Sequence, residues 1–347
     1  MPRKLFAFFF LFLTFLCACT PAPTVDAPYS PAFFYVTRSP NAALVLLDNF
    51  SAAPRKQIPL NPPSDCLLYA VHPAPRGRWI AVEWECASGP VVELFDTASG
   101  EAHFAISDQT IDSHFLAWYP DGYSLYMKIG TLNIPQTLRV DAATGKATEL
   151  LLSAFVYDLT ASPDGKRVLY SLTKGIGFGS ETWLAGPNGE NPSQLMVDAQ
   201  NIIALAQYSP DGRQIAYISF PDNQEPAPPG ELWVMDSAGL NAHKLATADA
   251  GRGFSAAWSP ASDKIAFIAR DIPTDEKSIN ISIYDMQTSV SVSVSSLSSA
   301  VGSVAPVWSP DGEYIAWSDT MNVWFYEVSS GQTVKQVASA CCVGWIR

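Results

Sequence analysis

The stretch WSPDGEYIAWS (residues 308–318) recurs along the chain. YSPDGRQIAYIS (208–219), ASPDGKRVLYSL (161–172) and WYPDGYSLYM (118–127) are close copies; WSPASDKIAFIA (258–269) and VHPAPRGRWIAVEW (71–84) are looser ones. Their prolines, Pro73, Pro120, Pro163, Pro210, Pro260 and Pro310, lie about 43 to 50 residues apart, a period that marks a repeat array of strand-built units. Each copy explains its own shape. Proline presets φ at the first turn position, the following residue, usually aspartate, bonds locally, and glycine, where present, takes the left-handed conformation that closes the loop. The β-branched and aromatic run behind the turn suits a buried strand.

A second pattern follows each hairpin: ETWLAGPNG (181–189), ELWVMDSAG (231–239), SIYDMQTS (282–289) and VWFYEVSSG (323–331). Each reads as a strand ending in a turn, with a short fourth strand behind it, such as SQLMV or HKLAT. Four antiparallel strands per repeat make a blade, so the expected fold is an all-β propeller of four-stranded blades. SPDG followed by IAY or IAF, then LWVMD and a glycine turn, resembles the WD40-like repeats of TolB-type β-propellers. That resemblance covers residues 31–347 and implies a single propeller domain.

The segments FFYVT (33–37), ALVLLDN (43–49) and KQIPL (56–60) supply three strands without the hairpin strand that should open a blade, while CCVGWI (341–346) follows the last full repeat. Strand exchange between these N- and C-terminal segments would close a ring of seven blades and remove open sheet edges, with six or eight blades the alternatives because the N-terminal segment is the least repeat-like.

The first residues read as an address. Arg3 and Lys4 precede the uncharged run 5–16, too short to span a bilayer and suited to a signal peptide. Leu16, Cys17, Ala18 and Cys19 resemble a bacterial lipobox, which implies a signal peptide at 1–18 and a lipid anchor on Cys19; the alternative is an ordinary secretory signal with incidental cysteines. The proline-rich segment that follows makes 19–30 an extended, lipid-anchored tether. An extracytoplasmic location, anchored to a bacterial membrane, is therefore expected. There Cys66 and Cys86, flanking the first hairpin, are the leading disulfide pair, although Cys341 and Cys342 leave other connectivities open.

The formal charge of −12 argues against binding nucleic acid. No G-x-S-x-G, H-E-x-x-H or P-loop is present. His72, His103, His114 and His243 show no partner spacing, and the repeated aspartates Asp121, Asp164, Asp211 and Asp311 read as turn residues. No protein ligand set for a metal is evident; calcium in the central channel, as some propellers hold it, is the one cofactor the fold class brings in. Trp118, Trp258 and Trp308 end inner strands and are expected to pack between blades.

Three consecutive repeats carry enlarged loops between the second and third strands: TKGIGFGS (173–180), PDNQEPAPPG (221–230) and DIPTDEKS (271–278). Clustered insertions on a rigid scaffold mark a rim where binding concentrates. Phe178, Asp222, Glu225, Asp275 and Glu276 are the candidate rim residues. These features point to a monomeric, non-enzymatic binding or scaffold module for a protein or peptide at the cell envelope. The alternative is a small lyase or glycan-acting hydrolase with its site in the channel, which would need carboxylates, or histidine with carboxylates, converging there.

Overall fold

The computed structural model describes residues 32–38, 42–50, 53–106, 112–130, 135–152, 156–173, 175, 177–222, 229–249, 256–270, 279–297, 304–319 and 321–346. The signal segment, Cys19, the tether, Glu225, Asp275 and Glu276 lie outside them.

The described strands form seven antiparallel blades of four. Blade one takes its innermost strand from the end of the chain: Ala340–Ile346 pairs with Ala32–Thr37, followed outward by Ala43–Leu47 and Lys56–Pro59. Blades two to seven begin, innermost, at Cys66–Pro73, Ser113–Trp118, Val156–Ala161, Asn201–Tyr208, Ala257–Trp258 and Val304–Trp308. Inner strands of neighbouring blades pack on one another, and Ala340–Ile346 touches both Val304–Trp308 and Cys66–Pro73. The ring is closed by the two ends of the chain, as the surplus C-terminal strand in the sequence predicts.

Stacking blades face to face buries both sides of each sheet, which is why the second strands read as nearly continuous apolar runs. Trp79, Ala81, Val92 and Leu94 of blade two pack with Leu125, Met127, Leu138 and Val140 of blade three. The expected inter-blade tryptophans lie at these seams. The Trp118 indole N–H donates to the His72 carbonyl (2.9 Å), that of Trp258 to Gln207 (3.3 Å) and that of Trp308 to Ala257 (2.9 Å).

The recurring turn has one hydrogen-bond scheme. Asp211 Oδ1 accepts from the Ser209 hydroxyl (2.6 Å) and from the Arg213 N–H (3.1 Å); Asp164 and Asp311 do the same with Ser162 and Lys166, and with Ser309 and Glu313. Asp121 accepts from the Tyr123 and Ser124 N–H groups. These aspartates shape turns, as the sequence reading has it. Cys66 and Cys86, which face each other in register, form a disulfide, whereas Cys341 and Cys342 are buried thiols.

Strand direction fixes two unlike faces. One, the turn face, carries the Ser-Pro-Asp-Gly hairpins. The other, the mouth face, carries the loops between second and third strands and the crossings between blades. Ala32 pairs with Ile346 at the start of a second strand, so both described chain ends lie on the turn face.

Candidate functional site

Inner strands share an irregularity. The register slips between Leu68 and Ala70, between Phe115 and Ala117, between Val156 and Asp158, and between Ala204 and Gln207. A bulge leaves its extra residue out of the ladder and re-aims the side chain. Here the extra residues are Tyr69, Leu116, Tyr157 and the Leu205–Ala206 pair. Because both faces of each sheet are covered by neighbouring blades, an exposed side chain on an innermost strand opens on the central channel. Tyr69 is 64% exposed, Tyr157 48% and Leu67, at the mouth, 76%. The two phenols lie close enough that Tyr69 adds to the rise in the Tyr157 pKa, behind burial and Asp158.

A polar cluster lies at the seam of blades two and three. Glu83 is 5% exposed; its Oε2 meets His72 Nε2 at 3.4 Å and its Oε1 meets His114 Nδ1 at 3.3 Å. The His72 ring stacks on Phe115, centroids 4.0 Å apart. Burial by itself pushes the Glu83 carboxyl up, but the hydrogen bonds from His114 and His72 more than reverse this and hold it at about 2. A carboxylate so held keeps both rings oriented, and both stay partly open to solvent. The spacing of the histidines in the sequence gives no hint of this partner. One signal was there to read: a glutamate inside the apolar run WIAVEW (79–84) is a buried charge that needs company.

On the next seam Asp158 Oδ2 accepts the Ala206 N–H at 3.0 Å, bracing the bulge where Leu205 holds φ at 57°. Burial pushes the Asp158 carboxyl up to about 6 from 3.8, against hydrogen bonds from the Ala206, Leu159 and Leu205 backbone. The folded protein therefore binds the proton more tightly than the unfolded chain does. Stability from this group is greatest below about pH 4 and is lost as pH rises to about 6, a loss of about 3 kcal/mol. The urea midpoint of the wild type, measured against that of Asp158→Asn, is expected to fall across that interval and to run parallel above pH 7. A constant difference from pH 4 to 7 would contradict the assignment.

The rim is partly described. Phe178 is 67% exposed, at the tip of a loop whose glycines Gly175, Gly177 and Gly179 all have positive φ. Asp222 of blade five does not point free into solvent. Its Oδ2 accepts the N–H groups of Gly177 (2.7 Å) and Gly179 (3.0 Å), a concave backbone nest suited to a carboxylate. Asp222 thus holds the Phe178 loop of blade four in place across the seam. Phe178 and the mouths of Leu67, Tyr69 and Tyr157 share the mouth face. Among the described residues, no group of three or more His, Cys, Asp or Glu is arranged to hold a metal ion.

No protein-family model matches the chain, and no curated protein matches it by sequence. Solved structures do resemble it. TolB from Acinetobacter baumannii aligns at a TM-score of 0.52 and 15% identity, over 92% of this chain and 83% of that one. An oligogalacturonate lyase in complex with manganese aligns at 0.62 and 15%, over 83% and 82%. A puromycin-hydrolyzing peptidase of Mycobacterium tuberculosis aligns at 0.62 and 11%, over 90% of this chain and 52% of that one. At such identities the likeness is one of fold: a TolB-like β-propeller.

Proposed function

We propose that this chain is a non-enzymatic binding module, a lipid-anchored, extracytoplasmic TolB-like propeller whose mouth face receives a protein or peptide partner at the cell envelope. The observation that carries the reading is the placement of exposed apolar side chains. Leu67, Tyr69 and Tyr157 at the channel mouth and Phe178 on the rim are all exposed on one face of a rigid ring. Buried aromatic anchors dominate binding energy in most interfaces, and an open aromatic-lined channel is a socket for such an anchor. Ala32 starts on the opposite face, so a tether from Cys19 would set the turn face toward the membrane and present the mouth away from it.

A second reading, a small lyase or glycan-acting hydrolase working in the channel, draws on Glu83 and its two histidines, groups able to move protons. It also draws on the lyase among the structural neighbours. The first reading is tested by crosslinking pull-down from membranes. The combined variant Tyr157→Ala with Phe178→Ala is expected to lose partners that the wild type captures, while Tyr123→Ala, exposed on the turn face, keeps them. Partners unchanged by the mouth-face variant would overturn the reading.

A further inference from the structure

We propose that Cys341 and Cys342 are a peroxide-reactive vicinal dithiol that closes reversibly to a disulfide, with Cys341 as the attacking sulfur and Cys342 as the resolving one. The site is independent of the mouth face and uses none of its residues.

The strand makes the pair possible. Successive side chains of a regular strand point to opposite faces, so neighbouring cysteines there cannot meet. Strand Ala340–Ile346 breaks that alternation at one place. Ala340 and Val343 pack on the blade-seven side with Phe325, whereas Cys341 and Cys342 both pack on the blade-two side with Ile80 and Val82. The pairing with Ala32–Thr37 slips there, Cys341 lying opposite Val36 and Gly344 opposite Phe34, and Cys342 holds φ at 53°. The bulge that turns Leu205 in blade five thus recurs in the closing strand and sets two sulfurs on one side. Cys342 Sγ donates to Cys341 Sγ at 3.1 Å, only about 1 Å beyond a disulfide bond of roughly 2.05 Å.

The two sulfurs have different roles. The Cys342 S–H bonded to it holds the Cys341 thiol below its ordinary range in spite of burial, and the Arg38 charge adds to the lowering. The same contact, with burial, pushes the Cys342 thiol up. Cys341 is therefore the sulfur that forms thiolate, the nucleophilic state. It attacks one oxygen of a hydroperoxide: an S–O bond forms, the O–O bond breaks, and the leaving oxygen departs as water with the Cys341 proton. Cys342 then attacks the Cys341 sulfur of the sulfenic acid. The S–S bond forms, the S–O bond breaks, and the hydroxide leaves as water with the Cys342 proton. Two thiols are oxidised and one peroxide is reduced to two waters.

Size selects the oxidant. Cys341 and Cys342 are 9% and 6% exposed, which admits hydrogen peroxide and turns away a protein disulfide. Neighbouring Cα atoms lie about 3.8 Å apart, closer than the roughly 4.4–6.8 Å of ordinary disulfides, so the product is a strained bond that a small dithiol reduces readily. A soft metal cation suits the pair less. It would meet the Arg38 charge, and among the described residues no third Cys, His, Asp or Glu joins the two sulfurs.

Trypsin releases residues 336–347, between Lys335 and Arg347, which hold Cys341 and Cys342 and neither Cys66 nor Cys86. The protein, reduced and freed of reductant, is treated with hydrogen peroxide, denatured in iodoacetamide, digested and weighed. The peptide is expected without alkyl groups and two hydrogens lighter than the dithiol; dithiothreitol after the peroxide should restore two alkyl groups. In Cys342→Ser the Cys341 sulfenic acid should persist and be trapped by dimedone, and Cys341→Ser should react with peroxide at least tenfold more slowly than wild type. Urea midpoints establish that the variants fold, and the wild-type masses stand without them. A wild-type peptide that still takes two alkyl groups, one carrying sulfinic acid on Cys341 in place of the internal bond, or a folded Cys341→Ser protein that reacts as fast as wild type would each overturn the site. None of these masses bears on the mouth-face partner, which is read from the pull-down.

Discussion

A chain cut after Ser339 is expected to lose cooperative unfolding and to elute as aggregate. The cut removes the innermost strand of blade one, which supplies Ala340, Val343 and Ile346, all at most 3% exposed, to two core clusters. Trp345 goes with it, from an aromatic group with Phe33, Phe50 and Phe325. Burying each large aliphatic side chain is worth about 1.5–3 kcal/mol, and with the aromatic contacts the strand supplies on the order of 10 kcal/mol. Whole domains are stable by about 5–15 kcal/mol, so the loss is of the size of the total. The cut also opens the backbone edge of Ala32–Thr37, a template for pairing with other chains. Size-exclusion chromatography and thermal circular dichroism read the outcome. A monomer with a sharp transition would show that the ring does not depend on strand exchange.

Arg270→Leu is expected to cost about 3–5 kcal/mol, the usual penalty for stranding one buried charge. Arg270 Nη2 lies 2.5 Å and Nε 3.2 Å from Asp249 Oδ1, and the two side chains are 3% and 0% exposed. The pair flanks the backbone bridge that joins blades five and six among the described residues, Ala248 to Ala269, and so acts at a seam. Replacing both residues, Arg270→Leu with Asp249→Leu, should recover much of the loss, since an apolar pair needs no desolvated partner. Urea midpoints of the single and double variants separate the cases. A single variant within about 1 kcal/mol of wild type would place little weight on the seam.

The blade repeat was legible because its turn chemistry is local: Ser, Pro, Asp and Gly at fixed offsets leave the chain one economical way to reverse. Ring closure was legible too, since three N-terminal strands lacked an inner partner and one C-terminal strand was left over. The channel was not. Tyr69 and Tyr157 matter because a bulge turns them inward, and a bulge depends on the strand alongside, not on local composition. Glu83 meets residues 11 and 31 positions away, on two blades, so only the packing of blade three on blade two brings the cluster together. Asp222 was legible as a rim residue but not its partners: the loop it steadies, through the Gly177 and Gly179 N–H groups, belongs to the neighbouring repeat.

The most direct measurement places a photo-activatable phenylalanine analogue at position 157, in the channel mouth, or at position 123, on the turn face, in the protein as expressed in cells. On irradiation, adducts with one discrete partner are expected from position 157 and not from 123. Adducts from 123 alone, or the same partners from both positions, would contradict a mouth-face binding module.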